Sequence, residues 1–217
     1  MEKLEVSAKT EPGIGDIMTT LIQPSRHIEE QRVVLHSVTW QQYENLLTIL
    51  GDYPGLRLIY LEGILEIFIP SAEHEMIKKA IARLLERYAE EVDILLHGYG
   101  STTFRLAAKA RGLEPDECYC INTLKELPDL AIEVNLTSGG VDQLAIYQGL
   151  GVCEVLIWQN NQLKPYNLRA GSYSETDKSE FFPDLDWQLL AQYIRPKEQP
   201  QAVKEFIQAI RSQGKTT

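Results

Sequence analysis

One carboxylate in the middle of an apolar run is the first residue that calls for an explanation. The stretch LPDLAIEVNLTSGGVDQLAIYQGLGVCEVLIW, residues 127–158, reads as strand, glycine turn, short helix, strand, with Glu133 inside the first strand. A buried charge is costly unless it is paired or holds a metal. Three acids compete to share a site with it: Asp116, Asp129 and Asp142. Asp129 lies on the same strand, four residues earlier, where about 13 Å of rise separates the two side chains. Asp116 leads the preceding predicted strand, and if the two strands pair, both carboxylates project from one face. Two carboxylates with backbone carbonyls and water are the ligands that Mg²⁺ or Mn²⁺ takes. Such an ion activates water and offsets charge on a phosphodiester during hydrolysis. A structural reading stands beside this one, in which Glu133 is salt-bridged to an arginine such as Arg105.

The elements that must position these acids follow from periodicity. Thr39 with Gln42 resembles a capping box, and Trp40, Tyr43, Leu46, Leu47 and Leu50 mark an amphipathic helix over 39–50. RLIYLEG and ILEIFIP read as a hairpin turning at Glu62-Gly63, with Glu62 a solvated turn residue. Ser71 caps a second helix whose apolar face runs through Ile77, Ile81, Leu84, Leu85, Tyr88 and Val92. His74 falls on or near that face, where a hydrogen-bonded core histidine is the plainer reading and a catalytic one the alternative. Extended chain over 94–106, a connector over 107–115 carrying Lys109 and Arg111, and a strand over 116–121 come next. The strand with Glu133, a short helix through Leu144, Tyr147 and Leu150, the apolar strand CEVLIW, a turn at Asn160-Asn161 and an edge strand LKPYNL complete the sheet. Helices are expected over 183–195 and 200–212. Residues 1–36 show no sustained period and read as a loosely packed arm, with His27 and His36 exposed.

At 217 residues, with 44% hydrophobic and 24% charged content, the chain suits one well-buried domain. The expected class is α/β, bordering on α+β: a mixed central sheet flanked by helices. The expected organisation is an arm over 1–36, a domain over 37–195, and a C-terminal helix and tail over 196–217. There is no apolar run long enough to span a membrane and no signal-peptide core at the N-terminus. Cys118, Cys120 and Cys153 lack zinc spacing and suit reduced thiols, so a cytoplasmic location is expected. The net charge of −10 argues against a surface that attracts nucleic acid as a whole, though a local groove or bound metal ions would offset it.

Longer patterns carry a family resemblance. YLEGILEIFIPSAEHE, then EPDECY, then PDLAIEVNLTSGGVDQLAIYQGLGVCEVLIW resemble the Uma2 family, within the PD-(D/E)XK, restriction-endonuclease-like superfamily. The resemblance covers about residues 38–170. Pro-Ser-x-x-His before the helix and Tyr-x-x-x-Gly-Val before the strand are its more specific parts. It implies a restriction-endonuclease-like mixed sheet and an Mg²⁺- or Mn²⁺-dependent endonuclease cutting DNA. Asp116 and Glu133 would hold the metal with the Val134 carbonyl, and His74 would match the family's helix histidine. The superfamily's lysine is missing: its motif position holds Asn135, and its alternative position on the following helix holds Gln143. Glutamine orients a water but carries no charge. Lys109 or Arg111 would have to reach in from the connector. A homodimer is expected, since two cuts on a duplex need two sites. The missing lysine and the net charge favour an alternative, a catalytically inactive member acting as a binding or interaction module.

Overall fold

A computed structural model describes residues 29–51, 53 and 55–213; His27 and most of the expected arm lie outside them. Among the described residues the chain begins β1 (Gln31–Leu35), α1 (Trp40–Leu50), β2 (Arg57–Leu61), β3 (Ile64–Ile69) and α2 (Ala72–Glu91). It continues β4 (Leu96–Gly98), β5 (Phe104–Leu106), a 3-10 turn (Ala107–Lys109), β6 (Arg111–Leu113), β7 (Glu117–Ile121) and β8 (Leu130–Asn135). It ends α3 (Gln143–Leu150), β9 (Glu154–Gln159), β10 (Gln162–Arg169), β11 (Ser172–Glu175), α4 (Trp187–Gln192) and α5 (Gln199–Gln213).

The mixed sheet expected from the sequence has six strands in the order β11-β10-β9-β8-β7-β4. Only β8 and β9 run parallel, and α3 is the crossover between them, as a parallel pair requires. A second sheet, β1-β3-β2-β6-β5, is antiparallel throughout and contains the expected hairpin. Glu62 (φ 47°) and Gly63 (φ 94°) both take positive φ at that hairpin, as a type I′ turn demands. Together these layers form a mixed α/β architecture consistent with a restriction-endonuclease-like fold.

Alternation along β8 decides where its charge goes. Leu130, Ile132 and Val134 pack against Ile81, Leu84, Leu85 and Tyr88 of α2 and Phe206 of α5. Ala131 faces the other way, with Cys118, Val155, Ile59 of the second sheet, and Ile146, Tyr147 and Leu150 of α3. Glu133 shares that second face. Slipping β8 by one residue would exchange the two sets, placing Glu133 among the apolar residues of α2 and α5. Each large apolar side chain so buried contributes about 1.5–3 kcal/mol, which pins the register.

Helix starts follow the expected chemistry. Thr39 and Gln42 form both bonds of the capping box on α1. Ser71 Oγ accepts from the His74 backbone N–H at 3.1 Å, fixing where α2 begins. Asp142 caps α3 by accepting from Ala145 N at 3.1 Å.

Several elements differ from the sequence reading. Residues 31–35, read as part of the arm, form β1 against β3; they are mostly exposed, so no alternation marks them. The connector over 107–115 contains β6, which pairs with both β2 and β5. The helix expected over 183–195 is only α4, because Asp186 caps it late, accepting from Gln188 N at 2.9 Å and Leu189 N at 3.0 Å. Cys118 and Cys120 are buried free thiols on β7, and Cys153 is an exposed one. No helix among the described residues is long and apolar enough to cross a membrane.

Candidate active site

The antiparallel register of β7 and β8 pairs Cys118 with Ala131 and Glu117 with Ile132. One step further along, Asp116 stands opposite Glu133, on the face that carries Cys118 and Ala131. Both acids are buried, at 1% and 2% exposure. They line a cavity of about 10 Å³, room for about one water. Its wall includes Arg32, Arg57, Glu66, His74, Val134 and Gln143.

Asp116 is fully engaged. Its Oδ1 accepts from His74 Nε2 at 2.7 Å and from Arg57 Nη1, and its Oδ2 accepts from Val134 N at 2.7 Å. Burial works against the ionised Asp116, but the His74 hydrogen bond and the Arg57 charge outweigh it and hold the carboxyl below its ordinary value. Arg57 sits on β2 with its side chain 7% exposed, and also contacts Glu75 at 3.2 Å and Glu114 at 3.9 Å. His74 is held on its other nitrogen by Glu30, whose Oε1 lies 2.8 Å from Nδ1. Burial disfavours the imidazolium, yet the two flanking carboxylates prevail and raise the His74 pKa.

Glu133 is placed differently. Its oxygens accept from the Tyr147 hydroxyl and from Gln143 Nε2, the latter at 2.7 Å. Both donors come from α3, one turn apart, so the helix presents them to the strand together. Burial and the neighbouring Asp116 charge nevertheless push the Glu133 carboxyl well above the usual range. One guanidinium serves two buried carboxylates, and the second is left short of positive charge.

That shortage bears on metal binding. Two facing carboxylates are the right donors for one small hard cation, and added positive charge would relieve Glu133. On a strand, a residue's N–H and C=O point to the same side, so the Val134 carbonyl lies on the edge from which its N–H reaches Asp116. A cation would compete with Arg57 and His74 for Asp116 and with Gln143 for Glu133. Among the described residues no cluster of three or more His, Cys, Asp or Glu side chains is arranged to hold a metal, so carbonyl, water and substrate oxygens would complete the shell. The donor types fit on those terms.

The structure thus brings Asp116, Glu133, Gln143, His74 and the Val134 backbone together. The other candidates lie elsewhere. Asp129 accepts from Ile121 N at 2.8 Å and pairs with Lys125 at 2.6 Å. Asp142 is the α3 cap. Lys109 Nζ donates to Gly149 O at 2.8 Å, and Arg111 Nη1 to Ala145 O at 2.7 Å; both brace α3 from outside, and Gly149 leaves no room for a Cβ against the Arg111 side chain. Arg105 stands 3.8 Å from Glu44 and is not the partner of Glu133. Glu62 is an exposed turn residue bonded to Arg111 at 2.9 Å, and His36 is exposed. Sequence reasoning missed Arg57, Tyr147 and Glu30. Arg57 carried a usable signal, a charge heading the apolar run RLIYL. Tyr147 reads as a packing residue, and nothing local marks Glu30.

A family model described as "Uma2: Putative restriction endonuclease" matches residues 40–193. The chain belongs to the Uma2 family. The match spans α1 through α4 and includes Arg57, His74, Asp116, Glu133, Gln143 and Tyr147, while β1 and Glu30 precede it. The family supports a nuclease-like function. None of the curated proteins compared with the chain matches it.

Proposed function

We propose that this Uma2 protein is an endonuclease that hydrolyses DNA phosphodiester bonds, with Mg²⁺ or Mn²⁺ held by Asp116, Glu133 and the Val134 carbonyl, acting as a homodimer. The observation that carries the reading is that two buried carboxylates, one just before β7 and one inside the adjacent β8, face each other within a chain of this family. When bound, the ion would supply Lewis-acid activation of water and charge to offset the phosphodiester. The chain's own residues do the rest. Gln143 donates its amide N–H to Glu133, which leaves its carbonyl oxygen free to accept from a water and orient it. It cannot remove a proton or balance an anion as a lysine would, so the chemistry is slow. His74 holds Asp116 and is positioned through Glu30. Arg57 keeps Asp116 ionised, and a cation would take its place on Oδ1.

Supercoiled plasmid tests this directly. With Mg²⁺ or Mn²⁺, wild type should nick slowly, and Glu133→Ala should abolish the nicking. Gln143→Lys puts an ammonium beside Glu133 and should raise the rate by about tenfold or more. Metal-dependent nicking that survives Glu133→Ala would sink the assignment. A second reading, an inactive member that binds a partner, draws on Gln143 at the lysine's place and on Arg57 already seated on Asp116. Wild type that fails to nick, with no gain in Gln143→Lys, favours that reading.

A further inference from the structure

Residues 30–35 lie across the site, outside the part of the chain that matches the family. Glu30 has its side chain 4% exposed and bridges His74 Nδ1 at 2.8 Å and Thr137 Oγ1 at 2.9 Å. Two residues on, and on the same face of β1, Arg32 pairs with buried Glu66 at 3.2 Å and donates to Gly139 O in the turn before α3. Its guanidinium sits over the Phe68 ring, 5.0 Å from the centroid, and lines the cavity beside Asp116 and Glu133. The rest of β1 is loosely attached. It is an edge strand with one neighbour, and Val33, Val34 and Leu35 are 53%, 38% and 41% exposed. A segment anchored by two charged side chains and a short ladder gives up little apolar burial when it leaves.

We propose that residues 30–35 form a pseudosubstrate strap: the Glu30 carboxylate occupies the His74 donor that a phosphate oxygen of the substrate takes, and the strap must leave for DNA to enter. This rests on the nuclease reading above for the identity of the substrate. An anionic oxygen hydrogen-bonded to a buried imidazole is replaced by another of the same charge and geometry, so His74 is not left unpaired at the exchange. The released Arg32 uncovers the Gly139-Gly140 turn and the side of the cavity that Gln143 lines.

The strap can be locked from the face opposite Glu30 and Arg32, where Val33 is directly across from Ile67 on β3. Opposed residues of an antiparallel pair approach closely enough for a disulfide. Full-length Val33→Cys/Ile67→Cys protein is titrated with duplex DNA by fluorescence anisotropy, with Ca²⁺ in place of Mg²⁺, oxidised and then reduced. The proposal expects the oxidised form to bind about tenfold or more weakly, because only the open fraction binds, and the reduced form to match wild type. Hydrogen exchange of β1 amides should quicken in wild type when DNA binds. Duplex binding that is equal in both redox states, or that leaves β1 as protected as before, overturns the strap and leaves the substrate reading intact. If neither form binds duplex, the DNA reading fails, and calorimetry with inorganic phosphate then decides the strap. Glu30→Gln should bind phosphate where wild type does not, and absence of binding in the variant overturns the strap as well.

Discussion

Asp129 stands just before β8 and Glu133 four residues on, inside it, and their surroundings are opposite. Asp129 accepts from one backbone N–H and pairs with a lysine four residues before it. Glu133 shares a single guanidinium with Asp116 and is left pushed toward its neutral form. The sequence already separated them, with Glu133 inside the apolar run and Asp129 at its opening. The difference teaches that burial alone does not mark a site, whereas an excess of buried carboxylate over cation does.

Three perturbations sharpen that contrast. Arg57→Ala removes the cation from two buried carboxylates and should cost about 3–5 kcal/mol, read by urea unfolding. A loss comparable to that of an exposed pair would mean the carboxylates are not truly sharing it. Asp129→Ala leaves the buried Ile121 N–H unpaired and should cost about 1–3 kcal/mol, read by the same unfolding. Glu133→Gln should act with the opposite sign, stabilising the fold at pH 7.5 while eliminating Mn²⁺ binding in calorimetry. The sign follows from linkage. The folded Glu133 pKa is raised above its ordinary 4.5, so the folded state holds the proton more tightly. Wild type therefore loses stability as pH rises from about 4.5 through the raised value, and the Glu133→Gln variant does not. Below pH 4.5 the two proteins should converge, and a gain that persists there would assign it to packing instead.

Much of this arrangement was legible beforehand, for identifiable reasons. Glu133 showed because a charge interrupts a strand apolar on both sides. Asp116 followed from strand pairing; His74 read from its helix position as a hydrogen-bonded core histidine, and only the family resemblance put it beside the acids. The capping box at Thr39 and the turn at Glu62-Gly63 are local chemistry, and local chemistry reads well. Glu30 and Arg32 were not legible, because β1 is exposed and its partners lie at separations of 44 and 34 residues. Arg57 was overlooked although it stands in an apolar run as Glu133 does; its strand was read only for its turn. β6 is too short for periodicity to register, and the helix over 183–195 was read too long because the Asp186 cap was not recognised.

The spacing of the site's contacts along the chain also bears on the order in which it can assemble. Glu133 meets Gln143 and Tyr147 across only 10 and 14 residues, all within β8 and α3. Asp116 meets His74 across 42 and Arg57 across 59. Closing the longer loops costs more chain entropy. The half that carries the uncompensated acid is therefore the half that folding can build first. The cation that lines the same cavity, Arg57 on β2, reaches it only across the longer loop that the second sheet must close.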